Sequence, residues 1–242
     1  MKKKKVKGTA LVTGAAIRIG KEIAIALAYD GYNIALHYNT SAKEAKKTKS
    51  EIERLGVFCE LFQADLNDRK TYAPLVKKVL AKFPDCNILI NNASIFERAN
   101  FAETDEDIFD RHMTINFKAP FFLSQAFAKK CRAGQIINIL DNKITKDIGA
   151  FFAYLLSKKS LAAFNRMAAR ELAPNIRVNG IAIGTTGISK SLKAGDIEKK
   201  REILPMKEEV KIEHITRTLI DVINSRHLTG QCIFVDGGEN LL

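Results

Sequence analysis

Apolar residues along this chain fall into short uninterrupted runs separated by longer amphipathic stretches. Thr9–Thr13 predicts a buried strand, residues 18–30 a helix ending at Gly31, and Asn33–Tyr38 a second strand. A charged helix follows over about 41–55, then a strand at Phe58–Gln63, a helix near 68–83 and a strand at Asn87–Ile90. One long helix is expected over 107–132, then a strand at Gln135–Leu140 and a helix over 151–173, stopped by Pro174. Ile176–Ile181 gives a sixth strand, 208–224 a last helix and Cys232–Val235 a last strand.

Short apolar strands alternating with helices require crossover connections, hence a parallel sheet with helices on both faces. No internal repeat or Pro/Gly-rich linker divides the chain. The expected architecture is α/β: one doubly wound, Rossmann-type domain of about seven strands over residues 8–242, preceded by a basic tail, 1–7. The loosest stretch, 184–207, follows the sixth strand at what should be its C-terminal edge. Ligands bind at that edge in such sheets, so a substrate-covering loop is expected there.

Charge alters this picture little. The formal net charge is +12, but Lys2, Lys3, Lys4, Lys5 and Lys7 concentrate part of it in the tail, and Lys43, Lys46, Lys47 and Lys49 lie on a solvent-facing helix. No aromatic-interleaved basic stripe or zinc-finger spacing points to nucleic acid or a metal. The basic surface instead suits anionic cofactors. The four cysteines are widely spaced, which fits a reducing compartment. No run approaches the ~18 apolar residues of a membrane span, so a soluble cytoplasmic protein without membrane partners is expected.

The first strand-to-helix turn reads Thr13-Gly14-Ala15-Ala16-Ile17-Arg18-Ile19-Gly20. Glycines here permit a tight bend and close approach of a pyrophosphate to exposed helix amides. Arg18 occupies the middle glycine position of a T-G-x-x-x-G-x-G pattern. The second strand ends His37-Tyr38-Asn39-Thr40-Ser41 without a carboxylate. An acid there would favour a free ribose 2′-hydroxyl and repel a 2′-phosphate, so its absence points to NADP(H). Asn39, Thr40, Ser41 and Lys43 offer donors for that phosphate, unless the segment is an ordinary polar turn. Asp65-Leu66 after the third strand could meet an adenine, although a helix N-cap explains Asp65 equally well.

Asn91-Asn92-Ala93-Ser94 puts small polar residues at the crevice floor, with Phe96 near the same edge. Its flat ring either fills core or stacks on a flat ligand. Tyr154 and Lys158, four apart on one helix, share a face, and Asp141 ends the fifth strand at the same edge. An ammonium beside a phenol should lower the tyrosine pKa and ready it for proton transfer.

With the glycine turn, Asn91-Asn92-Ala93, Asn116 and Asp236-Gly237-Gly238, these residues resemble the short-chain dehydrogenase/reductases along nearly the whole chain. Asp141 where most members have serine, Arg18 in the turn, the Leu36-His37-Tyr38 strand end and Asn92-Ala93-Ser94-x-Phe96 are similar to the pteridine reductases and dihydromonapterin reductases. The resemblance implies NADP(H) bound by Gly14, Arg18, Ile19, Gly20, His37, Tyr38, Asn39, Thr40, Ser41, Asp65, Leu66, Asn92, Ala93, Ser94 and Lys158. It implies a pterin-like substrate held by Arg18, Ser94, Phe96, Asp141 and Tyr154. In that scheme Tyr154 donates or relays the proton, Asp141 supports protonation of the pterin, Lys158 holds the nicotinamide ribose, and Asn116 braces the active-site helix and a relay water. A homotetramer is implied too.

Three departures stand out: Thr40 where arginine often meets the 2′-phosphate, Ile183-Gly184 for a common Pro-Gly, and no aromatic ring in 184–207. The competing expectations are a 3-oxoacyl-thioester reductase of the same superfamily, and a catalytically silent dinucleotide- or nucleic-acid-binding protein.

Overall fold

The computed structural model describes residues 6–186 and 202–242. The Lys2–Lys5 run, and Ser189 with most of the 184–207 loop, lie outside the described residues. Seven strands form one sheet: β1 (Thr9–Val12), β2 (Asn33–Tyr38), β3 (Cys59–Gln63), β4 (Cys86–Asn91), β5 (Gly134–Asp141), β6 (Ile176–Ile183) and β7 (Cys232–Val235). Their spatial order is β3-β2-β1-β4-β5-β6-β7, and every pairing is parallel. The helices are α1 (Arg18–Tyr29), α2 (Ala42–Glu53), α3 (Tyr72–Lys82), α4 (Glu106–Met113), α5 (Ala119–Ala128), α6 (Phe152–Leu172) and α7 (Ile212–Asn224). Among the described residues no helix is long and apolar enough to cross a membrane.

The uninterrupted apolar runs follow from burial on both faces. Alternate strand residues point to opposite sides. Ile34, Leu36, Ile88, Ile90, Ile137 and Ile139 join one core layer with Ile23 and Leu27 of α1 and Ile215 and Leu219 of α7. Ala35, Leu89 and Ile136 face the other layer, with Leu75 and Val79 of α3, Leu123 and Phe127 of α5, and Ala168 and Ala169 of α6. β1 and β4 lie side by side in the centre. The chain winds outward in opposite directions from them, so the crevice opens at their C-terminal ends.

The single helix expected over 107–132 is not one helix. It breaks into α4, a π turn at Thr114–Lys118 and α5. Pro120, in the first turn of α5, has no N–H to return to the carbonyl of Asn116, four residues earlier. The break puts Asn116 on a local bulge, fully buried. Two other boundaries also shift: a 3₁₀ turn at Arg69–Thr71 precedes α3, and α7 begins at Ile212 rather than near 208.

Candidate active site

The glycine turn is held from below by side chains rather than by its own backbone. Thr13 Oγ1 accepts from the amides of Asn92 (2.9 Å) and Ala93 (3.0 Å), while Asn92 Nδ2 donates to the carbonyls of Thr13 (2.9 Å) and Gly14 (3.2 Å). Gly14 has φ +64°, and a Cβ on Gly20 would lie 2.2 Å from the Gly14 carbonyl oxygen. Neither position tolerates a side chain. Arg18 stands where a third glycine would relieve the backbone, and it adopts φ +54°, a conformation costly for any residue with a Cβ. α1 then starts with no side-chain cap and no acid in its first turn, leaving its amides free for an anion. Ile19 is half-buried and packs against the core.

The His37 side chain departs from its expected place among the cofactor contacts. The ring is buried with both nitrogens engaged inside the protein: Nδ1 accepts from the Gly14 amide at 3.0 Å and Nε2 donates to the Ala64 carbonyl at 3.1 Å. Burial holds its pKa down to about 4, so the neutral ring supports the turn from behind. Leu66 also departs from that set through its side chain, which is buried in the core, while its carbonyl accepts from Tyr72 Oη at 3.0 Å.

At the other end of the crevice, Tyr38 packs against the core while Asn39 and Thr40 are exposed and Ser41 half-buried. Asn39 Nδ2 donates to Asp65 Oδ1 at 3.2 Å, and the same oxygen accepts the Asn67 amide at 2.9 Å. Asp65 therefore shapes its own turn while joining the ends of β2 and β3. The glycine cradle, the free helix amides and the carboxylate-free end of β2 together suit a dinucleotide with a 2′-phosphate.

Asn116 joins the crevice floor to α6. Its Oδ1 accepts from Ser94 Oγ (3.0 Å) and the Ile95 amide (2.9 Å), and its Nδ2 donates to the Ile95 carbonyl (3.0 Å) and Ser157 Oγ (3.1 Å). The side chain is thereby saturated.

Asp141, Tyr154 and Lys158 do converge. Tyr154 Oη donates to Asp141 Oδ2 at 2.9 Å, and Asp141 Oδ1 accepts the Lys143 amide at 2.8 Å. Lys158 Nζ donates to the Ile139 carbonyl at 3.0 Å and lies 5.9 Å from the centre of the Tyr154 ring. The expected lowering of the tyrosine pKa does not occur here. Burial and the adjacent Asp141 carboxylate push the phenol well above its ordinary range. Burial brings Lys158 down to about 8, with Asp141 opposing the shift. The geometry therefore keeps the proton on Tyr154, shared with a carboxylate acceptor.

Aromatic rings surround the phenol. Phe96, largely exposed, meets the Tyr154 ring edge-on at 4.7 Å and stacks on Phe151 at 4.5 Å with an interplanar angle of 23°. His112 meets Tyr154 edge-on at 6.3 Å. Its Nδ1 donates to the Ile108 carbonyl at 2.8 Å, and its buried Nε2 has no partner among the described residues. Neither Phe151 nor His112 stands among the site residues expected from the sequence. Phe151 lies just outside the helix that carries Tyr154, three residues before it, and that spacing was the available signal.

A phenol, a carboxylate and an ammonium at the mouth of a dinucleotide crevice define an oxidoreductase. The family model described as short chain dehydrogenase matches residues 8–197, and the chain belongs to that family. Among solved structures, FolM Alternative dihydrofolate reductase 1 from Brucella suis, in complex with NADP, superposes with a TM-score of 0.92 at 34% identity, covering 98% of this chain and 96% of that one. Pteridine reductase 1 of Leishmania tarentolae is 30% identical over 96% of both chains. The 3-oxoacyl-[acyl-carrier-protein] reductase FabG of Staphylococcus epidermidis is 31% identical over 95% of this chain and 98% of its own.

Proposed function

We propose that this protein reduces a C=N bond of a pterin with NADPH. The observation that carries the reading is the 2.9 Å hydrogen bond from Tyr154 Oη to Asp141 Oδ2 beneath the exposed Phe96 ring. A serine hydroxyl at position 141 would suit a neutral carbonyl oxygen. A carboxylate accepts from ring N–H groups and shares a proton bound for a basic ring nitrogen. Phe96 supplies a flat face for the pterin.

NADPH is held by the glycine turn, the α1 amides, Asn39, Thr40 and Ser41, and Lys158 holds its ribose; when bound it supplies the hydride. Tyr154 donates the proton at Oη, and Asp141 steadies that oxygen and the substrate. Asn116 keeps Ser94 and Ile95 in place so that Phe96 stays over the tyrosine. Phe109, Phe122, Phe152 and Leu156 leave apolar surface on α4, α5 and α6, which supports association of copies as a homotetramer.

The similarity to FabG favours a second reading, reduction of a 3-oxoacyl thioester. NADPH oxidation measured side by side with dihydrobiopterin, dihydrofolate and an acetoacetyl thioester separates the two. Turnover of a pterin with at least a tenfold higher kcat/KM supports the first reading, and preference for the thioester replaces it with the second.

A further inference from the structure

Asp141 is oriented from the segment that follows it. Its Oδ1 accepts the Lys143 amide at 2.8 Å, capping the 3₁₀ turn Asn142–Thr145, and the Lys146 amide closes that turn on the Lys143 carbonyl at 2.9 Å. Ile144 gives the turn an apolar foot on the cluster of Leu140, Leu161 and Ala182. Among the described residues, its side-chain hydrogen bonds to distant chain run to one place, the turn after β7. Asn142 Nδ2 donates to Asp236 Oδ2 at 3.3 Å, and Lys146 Nζ donates to the carbonyls of Glu239 (2.7 Å) and Leu242 (2.9 Å).

That second turn is itself well rooted. Asp236 Oδ1 and Oδ2 accept the amides of Gly238 (3.1 Å) and Asn240 (2.7 Å), and a 3₁₀ turn follows at Glu239–Leu241. Carbonyls at the end of such a turn lack partners within it, so a lysine ammonium suits them. Glu239 is buried and spends its carboxylate on Thr185: Oε2 accepts the amide at 3.1 Å and Oε1 the hydroxyl at 3.4 Å. Thr185 lies two residues beyond Ile183 of β6, which pairs with Asp141 of β5. These contacts close a ring that runs from the end of β5 through its turn, Lys146, Glu239 and Thr185, and back through β6.

We propose that Lys146 is a positioning residue: by gripping the turn after β7 it holds the Asp141 carboxylate against Tyr154 Oη. Its two bonds end on carbonyls three residues apart in the chain, so they resist rotation of the Asn142–Thr145 turn as well as its displacement. Without them the turn keeps Ile144 on the core and Asn142 on Asp236, so the fold stands while Asp141 is free to tilt. A misplacement of ~1 Å is enough to be felt in catalysis. The role does not depend on which substrate the enzyme reduces.

The test reads the ionisation of Tyr154 itself. Phenolate absorbance is titrated in the full-length wild type, Lys146→Met, Lys146→Arg, Asp141→Asn and the Asp141→Asn/Lys146→Met double variant, each against its Tyr154→Phe counterpart to subtract the other tyrosines. Burial and then the Asp141 carboxylate hold this phenol well above its ordinary range. In Lys146→Met it should therefore ionise at lower pH than in wild type, and Lys146→Arg should restore it. Loss of the ammonium's own charge would move the step upward, so direction separates the two effects. The other titratable groups facing the phenol, Lys158 on α6 and His112 on α4, lie outside the clasped turn. In the Asp141→Asn background, Lys146→Met should thus cause no further downward shift. Glu239→Ala, which unroots the same turn from Thr185, carries the same expectation should Lys146→Met fail to fold. With whichever substrate the wild type reduces, kcat should fall about fivefold in Lys146→Met. A wild-type titration in the folded variant, an equal downward shift with and without Asp141, or an unchanged kcat overturns the proposal, and none of the three touches the pterin reading.

Discussion

Replacing Asn116 with alanine should destabilise the fold and misplace Phe96 and Tyr154 together. Asn116 is fully buried, and its four hydrogen bonds tie Ser94 and Ile95 to Ser157. Removal leaves the amide of Ile95 without a direct partner, while its carbonyl keeps the Ser94 hydroxyl at 3.3 Å. Such a group costs ~1–3 kcal/mol when buried; Ile95 is half-buried, so the lower end applies. Ser157 Oγ still donates to the Tyr154 carbonyl at 2.6 Å. Adding ~1 kcal/mol for the space left behind gives a loss of about 2 kcal/mol. For a domain of this size that is a fall in Tm of about 4–8 °C, readable by circular dichroism. Because Ile95 adjoins Phe96 and Ser157 adjoins the Tyr154 backbone, kcat/KM should fall about tenfold beyond any loss of folded protein. Asn116→Asp keeps the acceptor for the Ile95 amide but loses both donors, and should fall between wild type and alanine. A Tm within ~2 °C of wild type with unchanged kcat/KM would refute the assignment.

Gly20→Ala should weaken NADPH binding at least tenfold by isothermal titration, because its methyl would sit 2.2 Å from the Gly14 carbonyl and force the turn open. If Lys158 holds the ribose as proposed, NADPH affinity should fall as the pH rises through about 8, where free-enzyme Lys158 loses its proton; Lys158→Met should bind weakly with no step in that window. Thr40 is exposed at the carboxylate-free end of β2, so Thr40→Arg should raise the preference for NADPH over NADH severalfold, measured as a ratio of kcat/KM.

The apolar runs in the sequence locate all seven strands because a sheet buried on both faces leaves no polar alternation to confuse the reading. The convergence of Asp141, Tyr154 and Lys158 was legible for a similar reason: strand ends and one helix face fix relative position almost by arithmetic. What the sequence concealed depended on competition between partners. A lysine four residues from a tyrosine suggests a lowered phenol pKa, but spacing does not reveal that Lys158 turns to the Ile139 carbonyl while Asp141 takes the phenol. The resemblance put His37 among the cofactor contacts, but its two ring nitrogens are taken by the Gly14 amide and the Ala64 carbonyl, pairings that no spacing along the chain reveals. The break at Thr114–Lys118 was signalled by Pro120 but masked by apolar residues on both sides. Phe151 stayed hidden because its contact with Phe96 joins segments more than fifty residues apart.

On the proposed reading, Asp141 adapts the tyrosine site to a ring nitrogen. The most direct measurement is kcat/KM for dihydrobiopterin and for an acetoacetyl thioester in wild type and Asp141→Ser. A lost proton-handling group should lower pterin reduction by ~10²-fold or more while thioester reduction stays level or rises. Equal pterin turnover in the two enzymes would mean that Asp141 plays no part in handling that proton.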